Sequence, residues 1–422
     1  MDDLPDGRPR RRDEILAAAA GLFAEEGYRN TSMREVAAAS GILAGSIYHH
    51  FPSKEAIAAE LIEDYHSDLA RAVRDSESAG PDPVAALKSF ARDIAEVSRR
   101  HRAALQLTWY EAAPSASSGL KTLVRAEPAS HDRRWRTLIS AAVAAGAIGD
   151  RIDATVLRHV LRSTMLQVGV MVWERGAPAG GPRAVADCAT SIIFDGLAAK
   201  RPGASGQSQA EDPDAAARAV AAARARWNSE GEDRLRQRRG MILDVARSQF
   251  AQRGPEATTM RDIADVAGIP AGNLYRYFPS KDAMVTAVLS EFSDRLLDAY
   301  TDVLGAGSPV VETLEAICWL LDQAGRHFSR EIEILRGRTG TLFRDVAEHY
   351  RKGAEDRYAL LVGLIETGVA TGELNEVADA ALVASCVREI MWAPMRSLAP
   401  VSSARVREFC RRSVLAGAAT RR

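Results

Sequence analysis

Cysteine is scarce in this 422-residue sequence, and its four copies form no pattern. There is no C-x-x-C pair and the eight histidines are not clustered, so the sequence predicts neither a disulfide framework nor a metal site. We expect the cysteines to be small buried hydrophobes in a reducing compartment. They are Cys188, Cys318, Cys386 and Cys410.

Long apolar runs and signatures of catalysis are also missing. No stretch approaches the length of a membrane span, and the polar, arginine-rich N-terminal residues lack the apolar centre of a signal peptide. There is no G-x-S-x-G, no phosphate-binding loop and no metal triad. The sequence therefore predicts a cytoplasmic protein that is not an enzyme and that has no cofactor and no membrane partner.

The composition is that of a soluble globular protein, with 46% hydrophobic and 26% charged residues. Its length suits two to four domains. The formal net charge of −1 conceals a local bias, because 8–54 hold seven Lys/Arg against five Asp/Glu, and 234–281 hold nine against four. Two basic regions in an otherwise acidic chain are expected if only these regions meet phosphate.

These two basic regions are copies of one another. The run GILAGSIYHHFPSK at 41–54 returns as GIPAGNLYRYFPSK at 268–281, and the offset of 227 also aligns the preceding residues. Nearly half of the aligned positions over 12–57 are identical. The chain is therefore a tandem duplication of one unit.

Each copy reads as a helix-turn-helix module. In the first copy, Ser32 followed by Glu35 is a capping box that opens a short helix, and Gly41 marks the turn after it. A third helix is expected to begin at the small residues Ala44 and Gly45. In such modules the helix after the turn enters the major groove of DNA by its N-terminal residues.

The rest of each copy is helical by its apolar periodicity, with long apolar helices near the end of each unit. Residues 201–212 have the composition of a linker, 213–227 predict a helix, and 228–233 predict a loose stretch. The expected fold is all-α, in two tandem units that each join a three-helix DNA-binding module to a helical ligand-binding and dimerisation body.

The repeated run resembles that of the TetR family of bacterial transcriptional repressors. The resemblance implies a DNA module of three helices, a body of about six, and a four-helix interface made by the last two helices of each unit. The predicted divisions are 9–56 for the first DNA-binding domain, 57–200 for its body, 201–233 for the linker, 234–283 for the second DNA-binding domain and 284–422 for its body. This chain departs from the family in holding two units.

Geometry and the resemblance together assign the residues of the module. Ile47 and Phe51, four residues apart, should face the core, which leaves their neighbours for DNA. The predicted DNA contacts are Thr31, Ser32, Ala44, Gly45, Ser46, Tyr48, His49, His50 and Lys54, and in the second copy Thr258, Thr259, Ala271, Gly272, Asn273, Tyr275, Arg276, Tyr277 and Lys281.

Within this set the roles are divided. Tyr48, Lys54 and the N-terminus of the second helix are predicted to bind phosphates, and the small residues with position 49 are predicted to read bases. Asn273 suits adenine and Arg276 suits guanine. Other interpretations stay open: Tyr48 can equally be a core residue, the two histidines a solvated pair, and Arg276 a surface charge.

The bodies carry weaker signals. Trp109, Met165, Trp319, Phe343 and Met391 are candidates to line a ligand pocket, although core packing is the more common role of such side chains. The repeated run is also similar to a branch of the family that senses CoA thioesters of lipids or steroids. The arginines of 100–102 and 133–136 could then hold phosphates, or else be solvated.

The sequence thus predicts a ligand-responsive repressor with two DNA-binding heads in one chain. Its expected partners are double-stranded operator DNA in the form of an imperfect palindrome, and a small-molecule effector that is hydrophobic or an acyl-CoA-like thioester. An architectural DNA-binding protein without an effector is the alternative, and a helical enzyme is a distant third. The two halves are expected to form an intrachain pseudo-dimer, with a homodimer as the other possibility.

Overall fold

The computed structural model describes residues 11–28, 30–78, 80–110, 129–168, 180–197, 199, 212, 214–336, 343–393 and 401–417. Within these ranges, side chains are described except at 109, 110, 129, 231–236, 336, 343–347 and 349. The regular elements of this part of the chain are helices, which confirms the predicted all-α fold.

The first half begins with the three elements of the DNA module and continues into the longer helices of the body. These are α1 (Arg11–Glu26), α2 (Met33–Ala39), the 3-10 helix α3 (Ser46–His49), α4 (Lys54–Ser76), α5 (Pro83–Arg100), α6 (Arg102–Tyr110), α7 (Ala129–Ala144), α8 (Ala154–Val168) and α9 (Gly181–Asp195). Helix α4 buries Ile57, Leu61, Tyr65 and Leu69 on one face, as its periodicity predicts. One continuous helix therefore joins the module to the body.

The second half repeats this series after one additional helix. It contains α10 (Ala215–Arg236), α11 (Arg238–Arg253), α12 (Met260–Val266), α13 (Ala271–Leu274), α14 (Lys281–Leu304), α15 (Val310–His327), α16 (Ser329–Arg336), α17 (Phe343–Ala370), α18 (Ala380–Trp392) and α19 (Ser403–Phe409), which continues as a π-helix over Cys410–Leu415. Helices α11 to α16 correspond to α1 to α6, and α10 has no counterpart among the described residues of the first half.

The additional helix α10 corrects the predicted linker. The sequence predicts a loose stretch over 228–233, but α10 is continuous to Arg236. It packs on α14 and α15, where Trp227 is buried against His327 and Phe328, with ring centroids 5.5 and 5.0 Å apart. An ion pair between Glu230 and Arg295 holds the next turn. These tertiary contacts outweigh the low helix propensity of this stretch, so the expectation of a loose stretch is wrong.

The third helix of each module is shorter than predicted. In the first copy it begins at Ser46 instead of Ala44, because Leu43 to Gly45 form a turn in which the Leu43 carbonyl accepts a hydrogen bond of 2.9 Å from the Ser46 amide. In the second copy Pro270 precedes the helix with φ −59°, so α13 begins at Ala271 as expected. Both helices end before a Phe-Pro pair, since the residue before proline disfavours the helical region.

The apolar core differs between the two modules. The side chains buried in the first module belong to one contiguous core that also includes both bodies. Those of the second module form a separate cluster around Ile242, Phe250, Leu274 and Phe278, which extends along the first turns of α14 and to Ile334 of α16. The second module therefore shares apolar contacts with the start of α14 and with α16, but not with the large core of the two bodies.

The two halves pack against one another through their last helices. Helices α8 and α9 contact α18, α19 and the π-helix. The Leu197 amide donates to the Val414 carbonyl at 2.9 Å, and the Ser413 hydroxyl donates to the Ile193 carbonyl at 2.9 Å. At the edge of this contact Arg405 forms an ion pair with Asp153 at 2.6 Å. The last helices of the two units thus meet within one chain.

Candidate nucleic-acid interface

Helix α2 is positioned by a glycine that ends α1 and by a capping box at its own N-terminus. Gly27 takes φ +84° and ends α1, a conformation that glycine adopts without strain. Ser32 then caps α2: its hydroxyl accepts the Glu35 amide at 3.2 Å, and the Glu35 carboxylate accepts the Ser32 amide at 2.7 Å. These hydrogen bonds hold the pKa of Glu35 below its ordinary value, so the predicted capping box is confirmed.

The second module reproduces this geometry with different side chains. Gly254 takes φ +80°, and Thr259 and Asp262 form the capping box in place of Ser32 and Glu35. The backbone hydrogen bond from Thr259 is the main reason that the pKa of Asp262 lies below its ordinary value. The same local frame therefore orients the segment that follows α2 and α12.

The recognition helix α3 divides its side chains between core and surface as predicted. Ile47 and Phe51 are fully buried, whereas Ala44, Gly45 and His49 are exposed and Ser46 and His50 are half-buried. Tyr48 is 56% exposed, which decides against its alternative as a core residue. An exposed aromatic hydroxyl beside small residues can reach a phosphate while the helix approaches base edges.

More of the equivalent residues are exposed in the second module. Ala271, Gly272, Asn273, Tyr275, Arg276 and Tyr277 are all exposed around the buried Leu274. An exposed amide and an exposed guanidinium are the side chains that pair with adenine and guanine in the major groove. The two modules therefore present the same scaffold with different reading groups.

The two threonines before the caps leave the predicted contact set. Thr31 is 1% exposed and donates its hydroxyl to the Gly27 carbonyl at 2.9 Å, and Thr258 is 0% exposed and donates to the Gly254 carbonyl at 2.8 Å. A buried hydroxyl that is already hydrogen-bonded does not reach a phosphate outside the protein. The prediction of DNA contact is wrong for these two side chains, and Ser32 and Thr259 stay predictions.

Lys54 and Lys281 have a second role that the sequence did not indicate. The Lys54 ammonium donates to the carbonyls of Tyr28 and Thr31, at 2.6 and 2.8 Å, and lies 4.4 Å from the centre of the Tyr28 ring. Lys281 makes only a 3.5 Å contact with the Glu256 carbonyl. Lys54 therefore ties the start of α4 to the loop between α1 and α2, whether or not it also meets a phosphate.

Arg12 and Arg239 are site residues that the sequence reasoning missed. The Arg12 guanidinium lies 4.1 Å from the centre of the Phe51 ring and donates to the His50 carbonyl at 2.5 Å. Arg239 lies over Phe278 at 4.7 Å. Each arginine holds the end of a recognition helix from α1 or α11. Their identity at equivalent positions of the repeat is the signal that could have indicated them.

The predicted ligand-pocket residues do not come together around a cavity in the described structure. Met165 and Met391 are buried in the core, and the half-buried Trp319 lies under the Arg407 guanidinium at 4.8 Å. The side chains of Trp109 and Phe343 lie outside the described residues. Met165, Met391 and Trp319 are not among the residues that line the cavity at the second DNA module.

That cavity, of about 350 Å³, lies between the second DNA module and its body. It is bounded by charged residues of α11, α14 and α16 and by the rings of Phe292 and Phe328. Arg247 is one of its lining residues, within 3.2 Å of carboxylate oxygens of Asp244, Glu291 and Glu331. The cavity is therefore a charged junction between module and body, and the ligand pocket expected from the sequence stays a prediction.

The arginines considered for CoA phosphates are mostly engaged with other groups. Arg100 pairs with Asp68 at 2.7 Å and Arg136 with Asp132 at 3.2 Å. Arg134 donates to the hydroxyl and the carbonyl of Ser76. The described residues thus do not gather these arginines into one phosphate-binding cluster.

Among the described residues, the helices lack the combination of length and apolar character that a membrane span needs.

The DNA modules match a known family directly. The sequence model of "Bacterial regulatory proteins, tetR family" matches residues 15–61 and again residues 242–288. Each match contains one recognition helix and the capping box that precedes it.

Known regulators resemble each unit beyond the DNA module. The repressor KstR2 of Rhodococcus jostii is 33% identical over 170 residues, which cover 40% of this chain and 83% of the relative. KstR2 of Mycolicibacterium smegmatis is 33% identical over 167 residues, covering 39% of this chain and 80% of the relative.

Among solved structures, the probable transcriptional regulatory protein RHA5900 covers 45% of this chain and 100% of its own, with 30% identity and a TM-score of 0.40. The relatives aligned by sequence cover about two fifths of this chain and about four fifths of their own length. With two matches to the family model and relatives aligned over four fifths of their length, the chain belongs to the TetR family of bacterial regulatory proteins, as a DNA-binding transcriptional regulator with two family units in tandem.

Proposed function

We propose that this chain is a ligand-responsive transcriptional repressor whose two DNA-binding heads act together as an intrachain pseudo-dimer on an imperfect palindromic operator. The observation that carries the proposal is the packing of α8 and α9 against α18, α19 and the π-helix. This arrangement corresponds to the four-helix interface that the family resemblance implies between separate subunits. A single chain then supplies both heads.

The difference between the two recognition surfaces supports an asymmetric operator. Position 46 is serine where the second copy has Asn273, and His49 is replaced by Arg276. Two identical subunits read two identical half-sites, whereas two diverged heads held in one chain need not. The shared scaffold around Tyr48 and Tyr275 keeps the backbone contacts similar in both half-sites.

The repressor activity and the effector follow the relatives and remain part of the proposal. KstR2 is a repressor, and we infer the same direction of control for this chain. The effector would be a hydrophobic small molecule or an acyl-CoA-like thioester. It would act by preferring the state in which the two recognition helices do not match the spacing of the operator, with a coupling on the order of 1 to 3 kcal/mol. Thermal-shift screening with CoA thioesters, against free CoA as the control, tests this part.

The stoichiometry of the DNA complex tests the pseudo-dimer. Operator duplexes are first selected from a random library with the full chain, and the complex is then weighed by light scattering. We expect a free protein of 45.6 kDa and one chain on each operator. A concentration-independent mass of twice that value, with two chains on each operator, would contradict the pseudo-dimer.

Two matched variants refine this experiment. Tyr48→Glu and Tyr275→Glu each place a negative charge on the exposed surface of one head, where it repels phosphate and leaves the core untouched. If both heads of one chain grip one operator, each variant weakens binding strongly. If instead two chains pair through the same kind of head, one variant is strongly impaired, the other is nearly normal, and the selected site is a perfect palindrome.

A further inference from the structure

Leu43 is an apolar side chain in a position that packing does not explain. It is 80% exposed, the largest exposed fraction among the big hydrophobic side chains of the described residues. It lies in the turn before the recognition helix α3, where its carbonyl accepts the Ser46 amide. Burying a leucine side chain stabilises a protein by roughly 1.5 to 3 kcal/mol. Because Leu43 is exposed, the free protein does not gain this stabilisation.

The conformation and exposure of the residues around Leu43 indicate that its turn faces the DNA. The turn begins at Gly41, with φ +68°, and ends at the exposed residues Ala44 and Gly45. A Cβ atom added to Gly45 would meet no atom within 4 Å, so the protein surface is open on this side. The N-terminal end of the recognition helix is the end that approaches the base edges in the major groove. Leu43 therefore stands beside the base-reading residues and not on an unrelated surface.

The major groove offers one apolar group, the 5-methyl of thymine. We propose that Leu43 reads the methyl group of a thymine in the half-site that the first head binds. This inference rests on the DNA-binding function described above and adds a specificity determinant to it. The gain in binding free energy comes from removing the leucine side chain and the thymine methyl from water together. Cytosine and deoxyuridine lack this methyl group, so they cannot make the contact.

The second head lacks this reader. Its equivalent residue is Pro270, which is exposed but forms the N-cap of α13 with φ −59°. The proline ring is fixed against its own backbone and has a shorter reach than the leucine side chain. The thymine preference made by position 43 should consequently appear in one half-site and not in the other.

Replacement of thymine by deoxyuridine isolates the methyl group. Operators are selected from a random library with the full chain, each thymine is replaced in turn by deoxyuridine, and binding is measured for the wild type, Leu43→Ala and Leu43→Met. We expect one position in one half-site where the loss of the methyl weakens wild-type binding about fourfold, the value of one buried methyl group. Leu43→Ala should be indifferent to this replacement, and Leu43→Met, which keeps the apolar reach, should remain sensitive.

The possible results distinguish a failure of the Leu43 contact from a failure of the DNA-binding function. Because Leu43 is exposed and packs on nothing that it would leave empty, the variants should unfold like the wild type, and urea titration checks this. If no deoxyuridine effect depends on residue 43, or if the dependent thymine lies in the half-site of the second head, the contact is overturned while DNA binding stands. If the wild type enriches no sequence at all, the DNA-reading function itself fails.

Discussion

Single residues of the repeat have acquired different tasks, and Lys54 and Lys281 show this most directly. Both follow the Phe-Pro-Ser run at equivalent positions. The Lys54 ammonium is hydrogen-bonded to two backbone carbonyls, whereas Lys281 makes one long contact of 3.5 Å. An identical residue in the sequence thus contributes to stability mainly in the first copy.

This difference predicts unequal costs of substitution. Lys54→Met should destabilise the protein by about 2 to 3 kcal/mol, because it leaves two carbonyls without a charged donor, and Lys281→Met by about 1 kcal/mol or less. Urea unfolding of the two variants measures the difference. In DNA binding each variant should lower the salt slope by about one unit if the lysine also meets a phosphate. Equal stability losses would show that the two carbonyl contacts are immaterial.

Arg276 is the exposed residue of the second head that we predict to read a base, and its chemistry allows a base contact to be distinguished from a phosphate contact. Arg276→Ala should cost about 1 to 3 kcal/mol and relax the preference at one base pair of one half-site. Arg276→Lys keeps the charge but not the bidentate fork, so it should retain the salt dependence and lose the preference. Selection of sites with all three proteins is the measurement. A preference kept by the lysine variant would assign Arg276 to the phosphate backbone.

At the scale of elements, helix α10 changes the connection of the second head to the molecule. Only Gln237 separates α10 from α11, and α10 is fastened to α14 and α15 by Trp227 and by the ion pairs of Arg226 with Asp302 and of Glu230 with Arg295. We call this connection the strap, and the described residues of the first half contain no equivalent of it. The second head is thus anchored from two sides, by α10 and by α14.

The strap can be released by a single substitution. Trp227→Ala should cost about 3 to 5 kcal/mol, because it empties a fully buried site beside His327 and Phe328. Arg224→Ala, on the exposed side of the same helix, should change the stability by less than about 0.5 kcal/mol. Urea unfolding compares them, and operator affinity should also fall for the tryptophan variant alone. Similar stabilities for both variants would mean that α10 is not docked.

The junction below the second head is charged where that of the first is apolar. Position by position, Arg247 and Glu331 replace Ala20 and Ala104. Glu331 is 5% exposed, and burial raises its pKa above the ordinary value of 4.5 although Arg247 lies 2.7 Å away. The loss of water around this carboxylate therefore outweighs the attraction of the guanidinium.

This raised pKa gives a prediction with a definite sign. A carboxyl that binds its proton more tightly in the folded state stabilises the protein most below its unfolded pKa and loses that contribution as the pH rises through the folded value. The free energy of unfolding of the wild type, minus that of Glu331→Gln, should thus decrease from about pH 4 upward. Arg247, Arg330 and Glu291 also act on Glu331, but they are common to both proteins. A difference that grows with pH would reverse the assignment.

At the scale of the whole molecule, the halves meet so closely that their backbones nearly touch. Gly196 and Gly417 both take positive φ, at +82° and +88°. A Cβ atom on Gly196 would lie 2.5 Å from the Leu415 carbonyl oxygen, and one on Gly417 would lie 2.7 Å from the Asp195 carbonyl oxygen. The two glycines approach each other's segment reciprocally, as expected of two related units around a pseudo-twofold axis.

The close approach can be tested against a control with similar backbone strain. Gly254→Ala, at φ +80° and ψ 150° with open space around its Cβ, should cost about 1 to 3 kcal/mol from conformation alone. Gly196→Ala, at φ +82° and ψ 158°, carries the same strain and a backbone clash, so it should cost about 2 kcal/mol more and loosen the contact between the halves. Urea unfolding gives the free energies, and light scattering reports any change of mass. Equal losses of stability in the two variants would mean that Gly196 does not approach the backbone of the other half this closely.

Much of this protein is determined by the sequence alone, because its signals are local. The capping boxes of Ser32 and Thr259, the glycine that ends α1, and the burial of Ile47 and Phe51 depend on hydrogen bonds and spacings within a few residues. Because the repeat keeps a constant offset of 227, the two-unit organisation can be recognised from the sequence alone. Local chemistry and self-comparison together therefore predict the fold and the DNA-reading surface.

Other features were decided only by tertiary structure, since they join residues far apart in the chain. Thr31 is a polar residue beside the DNA surface by sequence, yet it is buried in the folded module, where Lys54 donates to its carbonyl from the start of α4. The loose composition of 228–233 becomes helix because Trp227 and Glu230 find partners on α14 and α15. Likewise, the periodicity of α9 shows that it is buried but not against which helix. Its partners α18 and the π-helix lie some two hundred residues away, and only the folded chain brings them together.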